Sequence, residues 1–261
     1  MLTVKDIYGF IDDFAPFSTQ CGFDNAGLLV GNMDASVTKV AVCLDITRNA
    51  VGFAAENGCE LIVSHHPVIF DPLRSVGPDN PVYGLCCNLI SAVCAHTNVD
   101  AASGGVNDTL AQILELTEVE PLGDEEVPLA RIGFLDEELS SGEFAEYVRQ
   151  RLGAGCVRYT ETKRPVRKVA VCGGAGADYM DAAVKAGADA LVTSEVKHHQ
   201  LLSARQRGFC IMDAGHFATE RPIVSKLAEM LAARFKELEI FTYKTQDPAA
   251  YVCGEPSEPI A

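Results

Sequence analysis

The sequence predicts an α/β protein made of two α/β domains built on a duplicated βαβ unit. Short β-rich runs alternate with amphipathic stretches along the chain, a pattern typical of largely parallel strands that are buried on both faces. The segment KVAVC at residues 39–43 returns at residues 168–172. With 261 residues, 48% of them hydrophobic, the chain is long enough to bury one large core or two modest ones.

The first half contains a regular series of elements. Residues 1–16 carry three aspartates and lack the basic-then-apolar order of a secretory signal, so we predict a helix. Residues 39–45, 59–64 and 90–96 are predicted strands, and residues 47–58 and 105–116 are predicted helices. Thr47 is a suitable N-cap, and Gly58 is suited to the position just after the helix end.

The second half repeats the first at an offset of 129 residues. Residues 54–66 match residues 183–195, each a helix that ends at glycine and is followed by a strand. The alternative is convergence of two α/β hairpins, since VAV is common in strands. Between the repeats, the acidic residues 118–128 are a predicted linker. Residues 129–162 are predicted as strand, capped helix and strand, a smaller βαβ-like piece.

These patterns predict a first domain over residues 1–120 and a second over residues 121–261. The C-terminal helix of the second domain could pack back on the first. We expect functional side chains at the ends of the repeated strands, because ligands of doubly wound sheets bind beyond the carboxyl ends of the strands.

The charge balance excludes several classes of partner. The chain has 36 acidic and 21 basic residues and a formal charge of −15, which repels nucleic acid polymers and anionic membranes. A local basic pocket could still bind a nucleotide. No apolar run approaches the roughly 20 residues of a membrane span. The ten cysteines show no CxxC spacing, so we predict reduced thiols in a cytoplasmic protein.

Two predicted strands of the first half end in polar loops. His65 and His66 follow the strand at 59–64, and Pro67 favours an extended backbone at His66. A divergent pair of imidazoles at a strand end suits two metal ions, although one core histidine and one exposed histidine would also explain it. After the next strand, His96 and Asp100 are four residues apart. Asp100 taken alone is also a common turn residue.

A third polar loop lies in the second half, after the strand at 209–213. His216 and Glu220 have i, i+4 spacing at the start of a long helix, which places them on one side. Stabilisation of the helix dipole would also explain Glu220. Taken together, the three loops supply three imidazoles and two carboxylates without a thiolate. This ligand set suits Zn²⁺, Fe²⁺, Mn²⁺, Co²⁺ or Ni²⁺ in an open site.

Five protein ligands are too many for one open catalytic ion. They suit two divalent ions roughly 3.5–4 Å apart, bridged by a carboxylate and a water that yields hydroxide at neutral pH. Glu195 lies in the TSEVKHH loop and His96 ends the strand at 90–96, and we predict that Glu195 or His96 carries protons near the metals. His198 and His199 are predicted on a helix face, and the glycine-rich residues 171–180 as a turn between strand and helix.

The order of five motifs resembles one known family. FDNAGLLVG (23–31), SHHPVIF (64–70), HTNVDAASGGVND (96–108), TSEVKHH (193–199) and GHFATER (215–221) occur in the order and spacing of the dinuclear metal-centre family of GTP cyclohydrolase I type 2 homologues. The family usually has tryptophan where this chain has Phe23. The resemblance implies two α/β domains with the metal site between them, and a ring-shaped homohexamer. It also implies a set of metal ligands with Glu220 as the bridge, namely His65, His66, Asp100, His216 and Glu220.

The resemblance and the ligand set together predict a dinuclear metal-dependent hydrolase that acts through a metal-bridging hydroxide. Its substrate would be GTP, another nucleotide or a phosphoester. One alternative is a non-catalytic metal-binding hexamer that serves as a scaffold or interaction protein. Another is a nucleotide-binding regulator without metal, which the acidic composition and the lack of a phosphate-binding fingerprint disfavour.

Overall fold

A computed structural model describes residues 1–252 as an α/β protein with two sheets. The first sheet has the strand order β1-β4-β3-β2-β11. Its strands are β1 (Gly27–Val30), β2 (Lys39–Cys43), β3 (Leu61–Ser64), β4 (Ser91–Cys94) and β11 (Glu239–Thr242). All neighbours pair in parallel except β1, which runs antiparallel to β4 at one edge.

Helices cover both faces of the first sheet. The helices of the first half are α1 (Val4–Phe14), α2 (Arg48–Glu56), α3 (Pro81–Cys87), α4 (Thr97–Ala101) and α5 (Val106–Ile113). One hydrophobic core joins this sheet to α1 and to α10 (Pro222–Arg234), and another joins it to α2 and α3. The Thr47 hydroxyl accepts a hydrogen bond from Ala50 N, and Gly58 follows α2 with a φ of +69°. Both predicted caps of α2 are therefore confirmed.

The second sheet has the strand order β5-β6-β8-β9-β10-β7. Its strands are β5 (Thr117–Leu122), β6 (Ala130–Leu139), β7 (Arg158–Tyr159), β8 (Val166–Val171), β9 (Ala190–Thr193) and β10 (Cys210–Asp213). The helices in this half are α6 (Ser141–Leu152), α7 (Met180–Lys185), α8 (His198–Arg207) and α9 (His216–Glu220). The central strands β8, β9 and β10 are parallel, and antiparallel strands flank them on both sides.

The repeat found in the sequence is present in the strand register. Val40 pairs with Leu61 across β2 and β3, and Val169 pairs with Ala190 across β8 and β9. Each residue of the second pair lies 129 positions after its counterpart in the first. In both halves a third parallel strand follows, β4 in the first and β10 in the second. The predicted fold class, with its repeated βαβ unit, is confirmed.

Two predictions for the middle of the chain are wrong. Residues 118–122, placed in a linker, lie in β5, which pairs antiparallel with β6. The five residues 117–121 are exposed, so the apolar alternation that marks a half-buried strand is missing there. The strands β6 and β7 flank α6 as predicted, but they lie on opposite sides of the parallel core and do not pair. This segment is therefore not a βαβ unit.

The end of the described chain returns to the first sheet. Helix α10 packs in the same core as α1, and β11 adds to β2 as an edge strand. The predicted domain boundary between residues 120 and 121 stays a prediction. The chain passes from the first sheet to the second near residue 117 and returns to the first sheet after β10. Within residues 1–252 no helix is long and apolar enough to span a membrane. No disulfide joins the nine cysteines in this range.

Candidate metal centre

The carboxyl ends of the parallel strands in both sheets meet at one cluster of polar side chains. His65 and His66 follow β3, and His96 follows β4. Asp100 lies on the short helix α4, one turn after His96. Parallel strands place all their carboxyl ends at the same edge of a sheet, which is why loops distant in sequence share one crevice.

Glu220, at the end of α9, lies at the middle of this cluster. Its Oε2 atom is 2.9 Å from His66 Nε2 and 2.8 Å from His216 Nε2. The same oxygen is 3.8 Å from His65 Nε2. The Glu220 side chain is 4% exposed, so one buried carboxylate faces three imidazoles from both halves of the molecule.

His65 and Asp100 contain buried acceptor atoms without a hydrogen-bond partner. His65 Nδ1 lies 3.0 Å from the carbonyl oxygen of Ala95. Because a carbonyl oxygen only accepts, Nδ1 carries a hydrogen, which leaves Nε2 as the ring atom that could bind a metal. His65 Nε2 and Asp100 Oδ1 are 3.6 Å apart, and both lack a partner.

A divalent cation would satisfy both of these atoms. Two ligand atoms bound to one tetrahedral ion lie roughly 3.3 Å apart when the bonds are about 2.0–2.1 Å long. The observed separation is close to that spacing. Leaving two such acceptors buried and unpaired is costly, so the residues present fit a metal ion.

The other two imidazoles of the cluster are oriented by carboxylates. Asp45 Oδ1 lies 2.7 Å from His66 Nδ1, and Glu195 Oε1 lies 2.8 Å from His216 Nδ1. A carboxylate on Nδ1 fixes the tautomer that presents the Nε2 lone pair to a metal. The Nε2 atoms of His66 and His216 are 3.3 Å apart and point at the same Glu220 oxygen.

The ionisation of the cluster depends on these contacts. Burial lowers the pKa of His66, but the hydrogen bonds that His66 donates to Asp45 and Glu220 outweigh burial and raise that pKa to about 10. Burial likewise opposes protonation of His216, and Glu220 raises the pKa of His216 to about 9. Burial raises the pKa of Asp100 to about 7. Metal binding would therefore displace protons from the imidazoles.

The pKa of Glu220 moves in the opposite direction. Burial would raise this pKa, but hydrogen bonds from the surrounding imidazoles hold it well below its usual range. Glu220 is therefore an anion, available as a bridging ligand.

Three groups of described side chains could each hold a metal ion: one is His65, His66 and His96, and the other two share Glu220. Of these two, His66, His216 and Glu220 make one group, and His65, Asp100 and Glu220 make the other, with the ligand atoms of each group within 4.8 Å of one another. Two adjacent groups joined by one carboxylate have the general arrangement of a carboxylate-bridged pair of ions.

The structure thus brings together all five residues for which the sequence predicted metal binding. His96 lies beside them, its ring centroid 5.2 Å from that of His65 and 5.5 Å from that of His66. Glu195 contacts the centre through His216. His198 and His199 begin helix α8 and are exposed, as predicted.

Two carboxylates beside the centre were missed in the sequence. Asp45 follows β2, and Asp24 lies before β1 with its carboxylate 2.8 Å from His96 Nδ1. Asp24 also accepts hydrogen bonds from the backbone NH and the hydroxyl of Thr97. The position of Asp45 just after a predicted strand could have revealed it, because the ligand-facing ends of strands carry functional side chains.

The glycine-rich turn after β8 makes room for Glu220. Gly174 has a φ of +60°, and a Cβ atom there would lie 2.2 Å from Glu220 Oε1 and 3.4 Å from His216 Cε1. Only glycine combines this left-handed backbone with so close an approach. The turn therefore contributes to the site by leaving space beside the shared carboxylate.

Comparisons with known proteins agree with the motifs and the fold. The family model for Duf34/NIF3 (NGG1p interacting factor 3) matches residues 2–248. The chain is 32% identical over 263 residues to a GTP cyclohydrolase 1 type 2 homolog from Clostridium perfringens. The match covers 96% of this chain and 100% of that protein.

Solved structures show the same architecture. A hypothetical protein from Staphylococcus aureus superposes with a TM-score of 0.88 at 26% identity, covering 96% of this chain and 99% of the other. A Bacillus cereus protein related to NIF3 superposes with a TM-score of 0.87 at 25% identity, with the same two coverages. The similarity therefore extends over both sheets.

Proposed function

The chain belongs to the Duf34/NIF3 family, and on that premise we propose that it is a dinuclear metal-dependent hydrolase of a small-molecule substrate. The observation that carries the proposal is Glu220, a buried carboxylate shared by two groups of ligand atoms. His66 and His216 would hold one divalent ion with Glu220, and His65 and Asp100 would hold the second. The set of nitrogen and oxygen ligands suits Zn²⁺, Fe²⁺, Mn²⁺, Co²⁺ or Ni²⁺.

When bound, such ions supply Lewis acidity and make water acidic enough to act as a nucleophile near neutral pH. The chain itself positions the reactants. Asp45 and Glu195 keep hydrogens on the Nδ1 atoms of His66 and His216, so that both Nε2 atoms stay available as ligands.

Two side chains at the edge of the centre, His96 and Glu195, are proposed to carry protons. Asp24 forms a hydrogen bond with His96 Nδ1. His96 Nε2 is therefore the ring atom that would accept a proton from substrate or water. Glu195 bonds His216 through Oε1, and its side chain is 59% exposed. Its second oxygen, Oε2, is therefore available to exchange a proton with solvent.

The substrate proposed is GTP, another nucleotide or a phosphoester. Relatives that cover 96% and 92% of this chain carry the name GTP cyclohydrolase 1 type 2 homolog, and the acidic composition disfavours nucleic acid polymers. Also from the family resemblance, we propose a homohexamer. We propose a cytoplasmic location from the cysteines, which form no disulfide within residues 1–252.

The test is incubation of the metal-loaded protein with GTP, with formate and phosphate release measured in parallel. Formate indicates opening of the guanine imidazole ring, and phosphate indicates ester hydrolysis. Either product should form in the wild type and be lost in Glu220→Gln. A protein that binds ions and forms hexamers, yet leaves GTP and a panel of phosphoesters and cyclic amides intact, is a non-catalytic metal-binding scaffold.

A further inference from the structure

A cleft lies beside the candidate metal centre, at the carboxyl ends of β2 and β11. It has a volume of about 310 Å³. We name it the strand-end cleft, and its lining includes Leu44, Phe217, Arg221, Ser225, Tyr243 and Lys244. Its walls come from the end of β2, the junction of α9 with α10 and the segment after β11.

The strand-end cleft is next to the candidate metal centre in both chain and space. Leu44 precedes Asp45, which contacts His66, and Phe217 follows His216. In the sheet order, β2 lies between β3, which leads into the tandem histidines, and β11, which leads into the cleft. The two sites therefore share the same edge of the first sheet, where α/β proteins bind ligands.

The cleft differs in charge from the rest of the molecule. The chain carries a net charge of −15, yet the cleft is lined by Arg221 and Lys244 and by no aspartate or glutamate from the described part of the chain. Both cationic side chains are exposed. Lys244 forms no ion pair with residues 1–252. Arg221 donates one hydrogen bond to the carbonyl oxygen of Leu152, which leaves other guanidinium donors available.

The remaining lining suits a planar group attached to an anion. Phe217 and Tyr243 are half-buried aromatic side chains, and Ser225 offers a hydroxyl. Small-molecule sites are mostly apolar with a few placed polar groups, and they begin at volumes of about 300 Å³. The cleft combines these properties at a volume near the lower end of that range.

We propose that the strand-end cleft binds the nucleoside monophosphate part of the substrate, with the phosphate at Lys244 and Arg221 and the base against Tyr243 and Phe217. This assignment rests on the proposed function and narrows its substrate class to nucleotides. The ligand reaches the metal centre across the exposed side of Asp45. A local pair of cations lets an acidic protein recruit an anionic substrate.

The test measures binding of GMP to the full-length, metal-loaded protein by isothermal titration calorimetry, with guanosine as the phosphate-free ligand. Lys244→Glu should weaken GMP binding by about tenfold or more, the usual effect of removing a charged hydrogen-bond donor. The affinity for guanosine should change less than about twofold, because the base does not contact Lys244. Tyr243→Ala should weaken both ligands.

Lys236→Glu is the matched control. Lys236 is exposed just after the opposite end of α10 and lies outside the cleft, and the substitution makes the same change in net charge. Equal losses of GMP affinity in Lys236→Glu and Lys244→Glu would show a general charge effect and overturn the assignment. Absence of GMP binding to the wild type, or equal affinity for GMP and guanosine, would also overturn it.

Metal content and hydrolysis, measured on the same samples, separate this proposal from the proposed function. All variants should keep the wild-type ion content, because none of the three residues contacts the ligand cluster. Selective loss of GMP binding in Lys244→Glu without hydrolysis by the wild type would support the cleft and reject the hydrolase. Hydrolysis of GTP that is unchanged in Lys244→Glu would support the hydrolase and reject the cleft.

Discussion

The two halves of the molecule share a backbone unit but contribute differently to the centre. Beyond β3 the first half places His65 and His66; at the same offset beyond β9, the second half places Ser194 and Glu195. The Ser194 hydroxyl donates a hydrogen bond to the carbonyl of Gly174 and does not face the cluster. The loop that supplies two candidate ligands in one half therefore supplies only supporting contacts in the other.

The ends of β2 and β8 show the same division. Asp45 after β2 orients His66, whereas the position 129 residues later is Gly174, which leaves space for Glu220. The third strands are more alike, because each is followed by a histidine and an acid four residues apart, His96 with Asp100 and His216 with Glu220. The difference teaches that neither half contains a complete centre, and that Glu220 of the second half connects the ligand groups.

The largest effect is expected from Glu220→Gln, which removes the shared anion. Both ligand groups lose their common oxygen, so the ion content should fall from about two per chain to near zero. Elemental analysis of purified protein measures it. Glu229→Gln, an exposed position on α10, is the matched control and should keep both ions. An unchanged ion content in Glu220→Gln contradicts a shared ligand.

Substitutions on either side of Glu220 should separate the two positions. His65→Ala removes the only imidazole of the group His65, Asp100 and Glu220. His216→Ala removes one of the two imidazoles of the group His66, His216 and Glu220. Each variant should keep about one ion per chain. Loss of both ions in each variant would show that the positions cannot be filled independently, against the two-group geometry.

Smaller effects are expected from the carboxylates that orient the imidazoles. Asp45→Asn and Glu195→Gln keep the size of each side chain but weaken the hold on the Nδ1 hydrogen, so metal affinity should fall about 10–100-fold. The loss should be greater for Asp45→Asn, because the Asp45 side chain is less exposed than that of Glu195. Competition with a chromogenic chelator measures both. If both variants bind metal as tightly as the wild type, the two carboxylates have no orienting role.

The smallest expected effect is a change of stability at the glycine turn. Gly174→Ala adds a Cβ in a left-handed conformation and against Glu220, so the free energy of unfolding should fall by about 1–2 kcal/mol from strain, with a further loss from the clash. Gly187→Ala is the control, since φ is +74° there but nothing lies within 4 Å. Denaturant unfolding compares them. Equal losses contradict a steric role for Gly174.

Much of the core could be predicted from the sequence because its signals are local. Apolar runs such as residues 39–43 and 168–172 identify the buried parallel strands, and polar residues just beyond such runs identified all five members of the cluster. The motif resemblance is confirmed by the family match. The metal-binding roles of the five residues stay predictions until ions are measured.

The remaining features depend on contacts between distant segments. The edge strand β5 begins with five exposed residues, and β7 has only two residues, so neither has a hydrophobic pattern. Asp24 and Asp45 resemble ordinary turn residues in sequence, and their roles emerge only when His96 and His66 approach them across 72 and 21 positions. Such pairings follow from the tertiary fold.

The central claim is that two ions bind between the halves and share Glu220. Anomalous diffraction at the metal absorption edge, on crystals of the metal-loaded protein, tests it most directly. We expect two peaks roughly 3.5–4 Å apart, one beside His66 and His216 and one beside His65 and Asp100, with the Glu220 carboxylate between them. A single peak, or two peaks that do not both contact Glu220, would contradict the account.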